Sequence, residues 1–219
     1  MEGRILLSTL SLIYFLLPAT VQGDGMIKVR FKEFENKEGK AANGHCCDGR
    51  GKFCPGGCDH VFKICLDKPN GEKSVENCAY GMKQAEPIRN VNRIPFGSKI
   101  NNLDNPLTFV FFEPLPAKVS VKVRIDDHDR FTEDDFVDFL EQRVDNLKRT
   151  PTKYTVSNRT TLEFEVFREC THNFYGHDCS AFCQPAPRFK NQYLCDPETG
   201  NKICTSDWGG VDCSVRKET

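Results

Sequence analysis

The sequence lacks an excess of charge of either sign: 30 lysines and arginines stand against 31 aspartates and glutamates, a formal net charge of −1 at pH 7. It therefore lacks the basic surplus that is typical of nucleic-acid-binding proteins. Beyond its amino terminus it has no apolar run that approaches 18 residues, which argues against a multispan membrane protein. It also lacks the HExxH, GxSxG and P-loop motifs, which argues against the hydrolase and nucleotide-binding sites they mark.

Cysteine, in contrast, is abundant, with 12 among the 219 residues. Cytosolic enzymes keep their thiols reduced and seldom carry so many, whereas an even and clustered set indicates a disulfide framework. If all twelve are paired, no thiol is left for a Cys/His nucleophile or a zinc centre. The sequence therefore predicts an extracellular protein that is not an enzyme.

The amino terminus has the layout of a secretory signal peptide at residues 1–23. Basic Arg4 precedes an apolar run over 5–17, and Val21 and Gly23 suit positions −3 and −1 of a cleavage site. A helix of that run would be about 20 Å long, short of the roughly 30 Å core of a bilayer. We therefore expect cleavage near Gly23 and a secreted, soluble chain rather than a retained anchor.

The cysteines divide the rest of the chain into two units. Six lie between Cys46 and Cys78 and six between Cys170 and Cys213, with none in residues 79–169. We expect a first domain over 24–168 that is held mainly by an apolar core. The second, over 169–213, is too small for such a core and depends on disulfides, and a short tail follows at 214–219.

The first unit shows the period-two apolar alternation of half-buried strands. The predicted strands lie at 26–31, 60–66, 119–125 and 162–166, and the continuous apolar run 107–113 predicts a strand buried on both faces. These strands predict a mainly β fold, an antiparallel β-sandwich. One segment departs from it, because residues 132–148 place five apolar residues on one helical stripe, with acidic residues in the first turn; this predicts one inserted helix.

The second unit has the spacing C-x8-C-x3-C-x11-C-x8-C-x8-C. Pairing in sequence order would give Cys170–Cys179, Cys183–Cys195 and Cys204–Cys213. Six cysteines permit about fifteen connectivities, however, so the spacing alone leaves the pairing open. The unit has the size of an EGF repeat without its C-x-C step.

The second unit resembles the DSL domain of the Delta, Serrate and Jagged ligands of Notch receptors. The resemblance covers all six cysteines, Tyr175-Gly176, Phe182 and Trp208-Gly209-Gly210. It extends upstream, where four segments are similar to the ligands' amino-terminal module: 43–47, 59–66, 78–81 and 94–97. The resemblance implies a C2-type β-sandwich followed by an EGF-like DSL domain.

The resemblance also implies a function, which is binding to the EGF repeats of a Notch receptor through the DSL domain. In the family an aromatic and arginine face around the third cysteine and the following loop makes the contact. On this chain that face is Phe182, Gln184, Ala186, Arg188, Phe189 and Lys190. Gln184 and Ala186 stand where vertebrate-type ligands often have arginine, and Lys190 where a second phenylalanine is common. The alternative for Phe182 and Phe189 is packing against the disulfides.

In the first unit, the resemblance favours a short Cys54–Cys58 loop and a Cys65–Cys78 bond. The partners of Cys46 and Cys47 stay open, because adjacent cysteines rarely pair with each other. Asn158-Arg159-Thr160 is the only N-x-S/T sequon and predicts a glycan on Asn158. The acidic loop 126–129 suggests calcium, but its three carboxylates fall short of the six to eight oxygens that the ion takes, so we expect no cofactor or metal.

Two further interpretations stay open. The chain ends six residues after Cys213, without EGF repeats, a membrane span or a cytoplasmic tail. A soluble ligand of this kind would act as an antagonist, or as an agonist with a membrane-bound co-ligand; it could also be an incomplete version of a longer ligand. The alternative function is a lipid- or matrix-binding adaptor that acts through the β-sandwich and contacts lipid headgroups.

Overall fold

The structure is a computed structural model that describes residues 25–47, 54, 56–130, 132–185 and 192–217. The expected signal peptide lies outside these residues. Within them the chain forms seventeen β-strands and no helix, and so none that could cross a membrane. The strands of the first unit are β1 Gly25–Glu35, β2 His60–Asp67, β3 Met82–Gln84, β4 Arg93–Pro95, β5 Lys99–Ile100, β6 Leu103–Asp104, β7 Leu107–Phe111, β8 Val119–Asp127, β9 Asp135–Val144, β10 Thr152–Ser157 and β11 Thr161–Cys170. The strands of the second unit are β12 Phe174–Tyr175, β13 Ala181–Phe182, β14 Tyr193–Cys195, β15 Lys202–Cys204, β16 Trp208–Gly209 and β17 Val215–Arg216.

Two antiparallel sheets build the first unit. One has the order β10-β11-β1-β4, with β7 also paired to β1, and the other has the order β3-β2-β8-β9. Their inner faces enclose one apolar core, in which Phe31 of the first sheet meets Phe62 of the second edge-on, with ring centroids 6.0 Å apart. This confirms the antiparallel sandwich.

Strand β1 shows why the alternation predicts the strands so well. Ile27, Val29 and Phe31 are fully buried on the inner face. Lys28 and Arg30 point the other way and pair with acidic residues of β11, at N–O distances of 2.5 and 3.1 Å. Successive side chains of the strand thus point alternately into the core and to the polar surface, as expected for a sheet with one buried face.

The predicted helix at 132–148 is wrong, because this segment contains strand β9. Its pairing with β8 shifts register between Ile125 and Asp126, so that Val137 is an extra residue in the ladder. At such a bulge the extra residue points to the same face of the sheet as the residue next to it in the chain. Val137, Leu140 and Val144 are therefore all buried, at a spacing of three and four residues that imitates a helical stripe.

The apolar run at 107–113 also differs from expectation, because only one of its faces is buried. In β7 the side chains of Leu107, Phe109 and Phe111 point into the core, whereas Val110 is 50% exposed and Phe112, just after the strand, is 59% exposed. Within the described sheet β7 pairs with β1 alone, so it forms an edge.

The disulfides of the first unit differ from one predicted pairing and identify the partners of Cys46 and Cys47. Cys65 bonds Cys78, but Cys54 bonds Cys46 and Cys58 bonds Cys47, so there is no Cys54–Cys58 loop. Cys46 forms a β-bridge with Lys40. Adjacent side chains of extended backbone project in opposite directions, and Cys46 and Cys47 therefore reach two different partners.

The two units share one core at their junction. Cys179 is fully buried and packs in the sandwich core, and the backbone N–H of Leu115 donates to the carbonyl of Asp178 at 2.7 Å. The guanidinium of Arg168, which is 6% exposed, donates to the carbonyls of Leu147 and Gly176 at 3.1 and 2.9 Å. These contacts hold the second unit against the end of the sandwich.

Candidate functional site

The second unit consists of three two-stranded ladders joined by disulfides. The ladders are β12 with β13, β14 with β15 and β16 with β17, and the bonds are Cys170–Cys179, Cys183–Cys195 and Cys204–Cys213. Its small interior holds Cys183, Tyr193 and Cys213, with Trp208 packed against them. Because β17 pairs with β16, the module continues to Arg216, and the expected tail from 214 is partly ordered strand.

Phe182 is a large apolar side chain on the surface of this module, 61% exposed. It lies opposite Phe174 in the β12–β13 ladder, and the two rings meet edge-on with centroids 5.3 Å apart. The next residue, Cys183, is 5% exposed and is fixed by its bond to Cys195. A rigid backbone therefore presents an aromatic ring that is supported on one side and open on the other.

The polypeptide leaves this ladder through Gln184, whose backbone carbonyl accepts a hydrogen bond from the hydroxyl of buried Tyr193 at 3.0 Å. The Gln184 side chain is exposed. The other four predicted contact residues, Ala186, Arg188, Phe189 and Lys190, lie outside the described residues. The structure thus brings Phe182 and Gln184 together at the start of the predicted contact loop.

Two further exposed apolar residues lie beyond that loop and were not among the predicted contact residues. Leu194 and Ile203 are direct partners in the β14–β15 ladder and are 61% and 49% exposed. Leu194 precedes Cys195, whose bond to Cys183 joins this ladder to the one that carries Phe182. The signal that could have found them is the alternation around Cys195 and Cys204, which leaves one apolar pair facing out.

The turn of this hairpin is fixed by Asp196. Its carboxylate accepts hydrogen bonds from the backbone N–H and hydroxyl of Thr199 and from the N–H of Glu198, at 2.7 to 2.9 Å. The pKa of Asp196 lies below its usual value because these donors, those of Thr199 foremost, favour the charged form. The ladder that bears Leu194 and Ile203 is therefore closed by a defined turn.

Two of the three carboxylates that suggested calcium, Asp126 and Asp127 at the end of β8, already have partners within the protein. Asp126 is 1% exposed and pairs with Lys63 at 3.0 Å and Arg124 at 2.9 Å. Asp127 accepts a hydrogen bond from the N–H of Asp59 at 2.6 Å. The residues as arranged do not fit a cage of six to eight oxygens. One cluster of metal-ligand type, Cys47, Cys58 and Asp127, lies among the described residues, and its two sulfurs are joined in a disulfide.

Comparison with known proteins agrees with this architecture. The family model described as the N terminus of Notch ligand C2-like domain matches residues 24–166, and the model described as Delta serrate ligand matches residues 170–216. Human Delta-like protein 1 is 28% identical over 89% of this chain and 28% of its own length. The Drosophila melanogaster neurogenic locus protein delta is 27% identical over 94% of this chain and 26% of its own length.

A solved structure described as Drosophila C2-DSL-EGF1 superposes with a TM-score of 0.71, at 26% identity, covering 88% of this chain and 87% of that one. The fold is that of a two-module protein with a C2-like sandwich followed by a disulfide-rich module. The chain belongs to the Notch-ligand family, whose members are receptor ligands rather than enzymes. It spans less than a third of the length of the two relatives named above.

Proposed function

We propose that this protein is a secreted ligand that binds the extracellular EGF repeats of a Notch-type receptor through its DSL domain, in cell–cell signalling that decides cell fate. The observation that carries the proposal is Phe182, an open aromatic ring on a disulfide-fixed ladder in a chain of the Notch-ligand family. Buried aromatic anchors supply much of the binding energy of protein interfaces. Ring and backbone are fixed before binding, so little conformational entropy is lost on contact.

The proposed contact surface is the part of the DSL module that flanks the Cys183–Cys195 bond. It comprises Phe182, Gln184, the loop residues Ala186, Arg188, Phe189 and Lys190, and the exposed pair Leu194 and Ile203. The apolar members would form the buried centre. Arg188 and Lys190 would add positive charge, which favours acidic receptor surface and raises the rate of association.

Phe182→Ala tests this surface directly. The oxidised, secreted protein is titrated against receptor EGF repeats, after mass measurement shows that all six disulfides are intact. We expect affinity to fall at least about tenfold, because a central aromatic anchor contributes more than about 1.4 kcal/mol. The matched control is Phe112→Ala, which removes an equally exposed phenylalanine from the sandwich and should leave affinity unchanged.

Equal affinity of Phe182→Ala and the parent protein would contradict the proposed surface. Failure of the parent to bind at tens of micromolar would contradict the proposed function. Where binding is found, signalling assays with and without a membrane-bound co-ligand then distinguish an agonist from an antagonist.

A second candidate function is an adaptor that binds lipid or matrix through the sandwich. The observation in its favour is the apolar edge formed by Val110 and Phe112, both at least half exposed. An apolar edge of this kind could enter the headgroup region of a membrane. Cosedimentation with anionic liposomes that Phe112→Ala abolishes and Phe182→Ala leaves intact would establish lipid binding by the sandwich; no sedimentation of the parent protein would exclude it.

A further inference from the structure

The turn between β10 and β11 is bound by one carboxylate from the opposite sheet. This turn, residues 158–160, is the N-x-S/T sequon, and the carboxylate is that of Asp138 in β9, which is 1% exposed. One oxygen of Asp138 accepts from the side-chain amide of Asn158 at 2.7 Å. The other accepts from the backbone N–H groups of Arg159 and Thr160 at 3.0 and 2.8 Å, and from the Thr160 hydroxyl at 2.8 Å.

This arrangement engages the two groups that N-glycosylation needs. The reacting atom is Asn158 Nδ2, and the transferase recognises the hydroxyl two residues further on. Although the Asn158 residue lies at the surface, its amide is hydrogen-bonded to a buried carboxylate. Thr160 is 2% exposed, so its hydroxyl faces Asp138 and not the solvent.

The free energy needed to open the turn depends on Asp138. Its carboxylate is removed from water and depends on donors of the turn, together with the N–H of Phe139 at 2.8 Å, for its hydrogen bonds. A buried charge that loses its donors is strongly destabilised. The turn therefore resists the rearrangement that would expose both sequon groups at once.

We propose that the folded sandwich closes this sequon, so that Asn158 receives its glycan only before the β10–β11 turn docks on Asp138. In the transfer, Nδ2 of Asn158 bonds to the anomeric carbon of a lipid-diphosphate-linked oligosaccharide. The bond from that carbon to the diphosphate breaks, the lipid diphosphate leaves, and the amide loses one proton to the transferase. Asp138 is the residue that decides when this site is open.

The inference rests on the proposed function in one respect: a secreted chain meets the glycan transferase while it folds, so that glycan transfer and folding would compete in time. Occupancy of Asn158 would then report how fast the sandwich forms. Any change that delays pairing of β9 with its neighbours would raise occupancy, and any change that speeds it would lower occupancy.

The test uses purified components and needs neither secretion nor receptor binding, so its result is independent of the proposed function. The full mature chain is produced without glycan and oxidised to its six disulfides. One sample stays folded and another is reduced, alkylated and unfolded. Both are incubated with purified oligosaccharyltransferase and a lipid-diphosphate oligosaccharide, and intact mass gives the modified fraction.

We expect the folded protein to be modified at least about tenfold more slowly than the unfolded chain. Equal rates would overturn the proposal. Asn158→Gln should abolish the mass increase in both samples, and an increase that persists in this variant would place the modification elsewhere and overturn the assignment.

Asp138→Asn tests the role assigned to Asp138, because the shape is kept while the buried charge is lost. With its fold verified by circular dichroism, this variant should accept the glycan faster than the folded parent. Asp145→Asn is the matched control, because Asp145 is exposed just after β9 and forms surface ion pairs with Arg143 and Lys118. A folded Asp138→Asn variant as slow as the parent would overturn the role of Asp138, and if the variant does not fold, the comparison of folded and unfolded parent decides alone.

Discussion

His60 lies at the start of β2 with no exposed surface, and neither of its ring nitrogens is hydrogen-bonded to any residue that the structure describes. Phe34 and Phe62 pack on it, with ring centroids 4.7 and 6.2 Å away. Burial lowers the pKa of His60 to about 4, and the nearby charge of Asp59 offsets this only in part. The imidazole is therefore a neutral, apolar-like core group at physiological pH.

We expect this histidine to make the folded protein less stable in mild acid. The unfolded chain binds the proton near pH 6.5 and the folded protein only near pH 4, so the unfolded state gains protons first as the pH falls. The contribution of neutral, buried His60 to the free energy of unfolding is therefore complete above about pH 6.5 and is lost as the pH falls from about 6.5 to 4. Chemical denaturation should give a free energy of unfolding about 2 kcal/mol lower at pH 5 than at pH 7.

His60→Phe keeps an aromatic ring in the same surroundings and removes the titrating group, so it should flatten this pH dependence. His172→Phe is the control, since His172 is exposed. If His60→Phe retains the full difference between pH 5 and pH 7, the loss of stability has another origin.

At the scale of elements, the beginning of β1 shows how closely the two modules are fitted. Gly25 pairs with Cys170 and lies against the Cys170–Cys179 bond. A Cβ added at Gly25 would lie 2.9 Å from the sulfur of Cys179 and 3.2 Å from a methyl carbon of Leu115. A disulfide sulfur cannot swing away as a free side chain can, so the position has no room for a larger residue.

Gly25→Ala should therefore destabilise the protein by about 1–3 kcal/mol, the usual range for overpacking a dense core. Gly97→Ala is the matched control, because an added Cβ there meets no atom within 4 Å and the backbone is not left-handed. We expect Gly97→Ala to be neutral or slightly stabilising. Thermal unfolding measures both, and equal melting temperatures for the two variants would refute the close fit at Gly25.

The strands of the sandwich could be predicted from the sequence where the alternation is regular, as in β1, β8 and β11. The apolar pattern misleads in β9, because one bulge at Val137 changes a period of two into a spacing of three and four residues. The pattern also misleads in β7, because a run with five apolar residues among the six from Leu107 to Phe112 does not tell which of them face the core. A single sequence contains the pattern but not the partner strand that decides the register.

The candidate site was predicted in part. The family resemblance led to Phe182, and the structure shows its ring exposed above a fixed disulfide. The resemblance does not point to Leu194 and Ile203. The alternation around Cys195 and Cys204 places both on one face of the β14–β15 ladder, but it does not tell that this face is exposed. The binding role of all these residues stays a proposal, as does the glycan on Asn158.

At the scale of the whole molecule, two modules of different construction form one continuous body. The sandwich is held by its apolar core and three disulfides, and the DSL module by three disulfides around a few side chains. Cys179, Arg168 and Leu115 bridge them. The sandwich thereby gives the small DSL module a fixed support, and we expect the surface around Phe182 to be rigid before it meets a partner.

Hydrogen–deuterium exchange of the intact, disulfide-bonded protein, alone and saturated with receptor EGF repeats, would locate the receptor contact. We expect slower exchange in the segment 174–204 of the complex, with little change in β2, β3, β8 and β9. Protection confined to the sandwich strands, or no complex at tens of micromolar, would contradict this expectation.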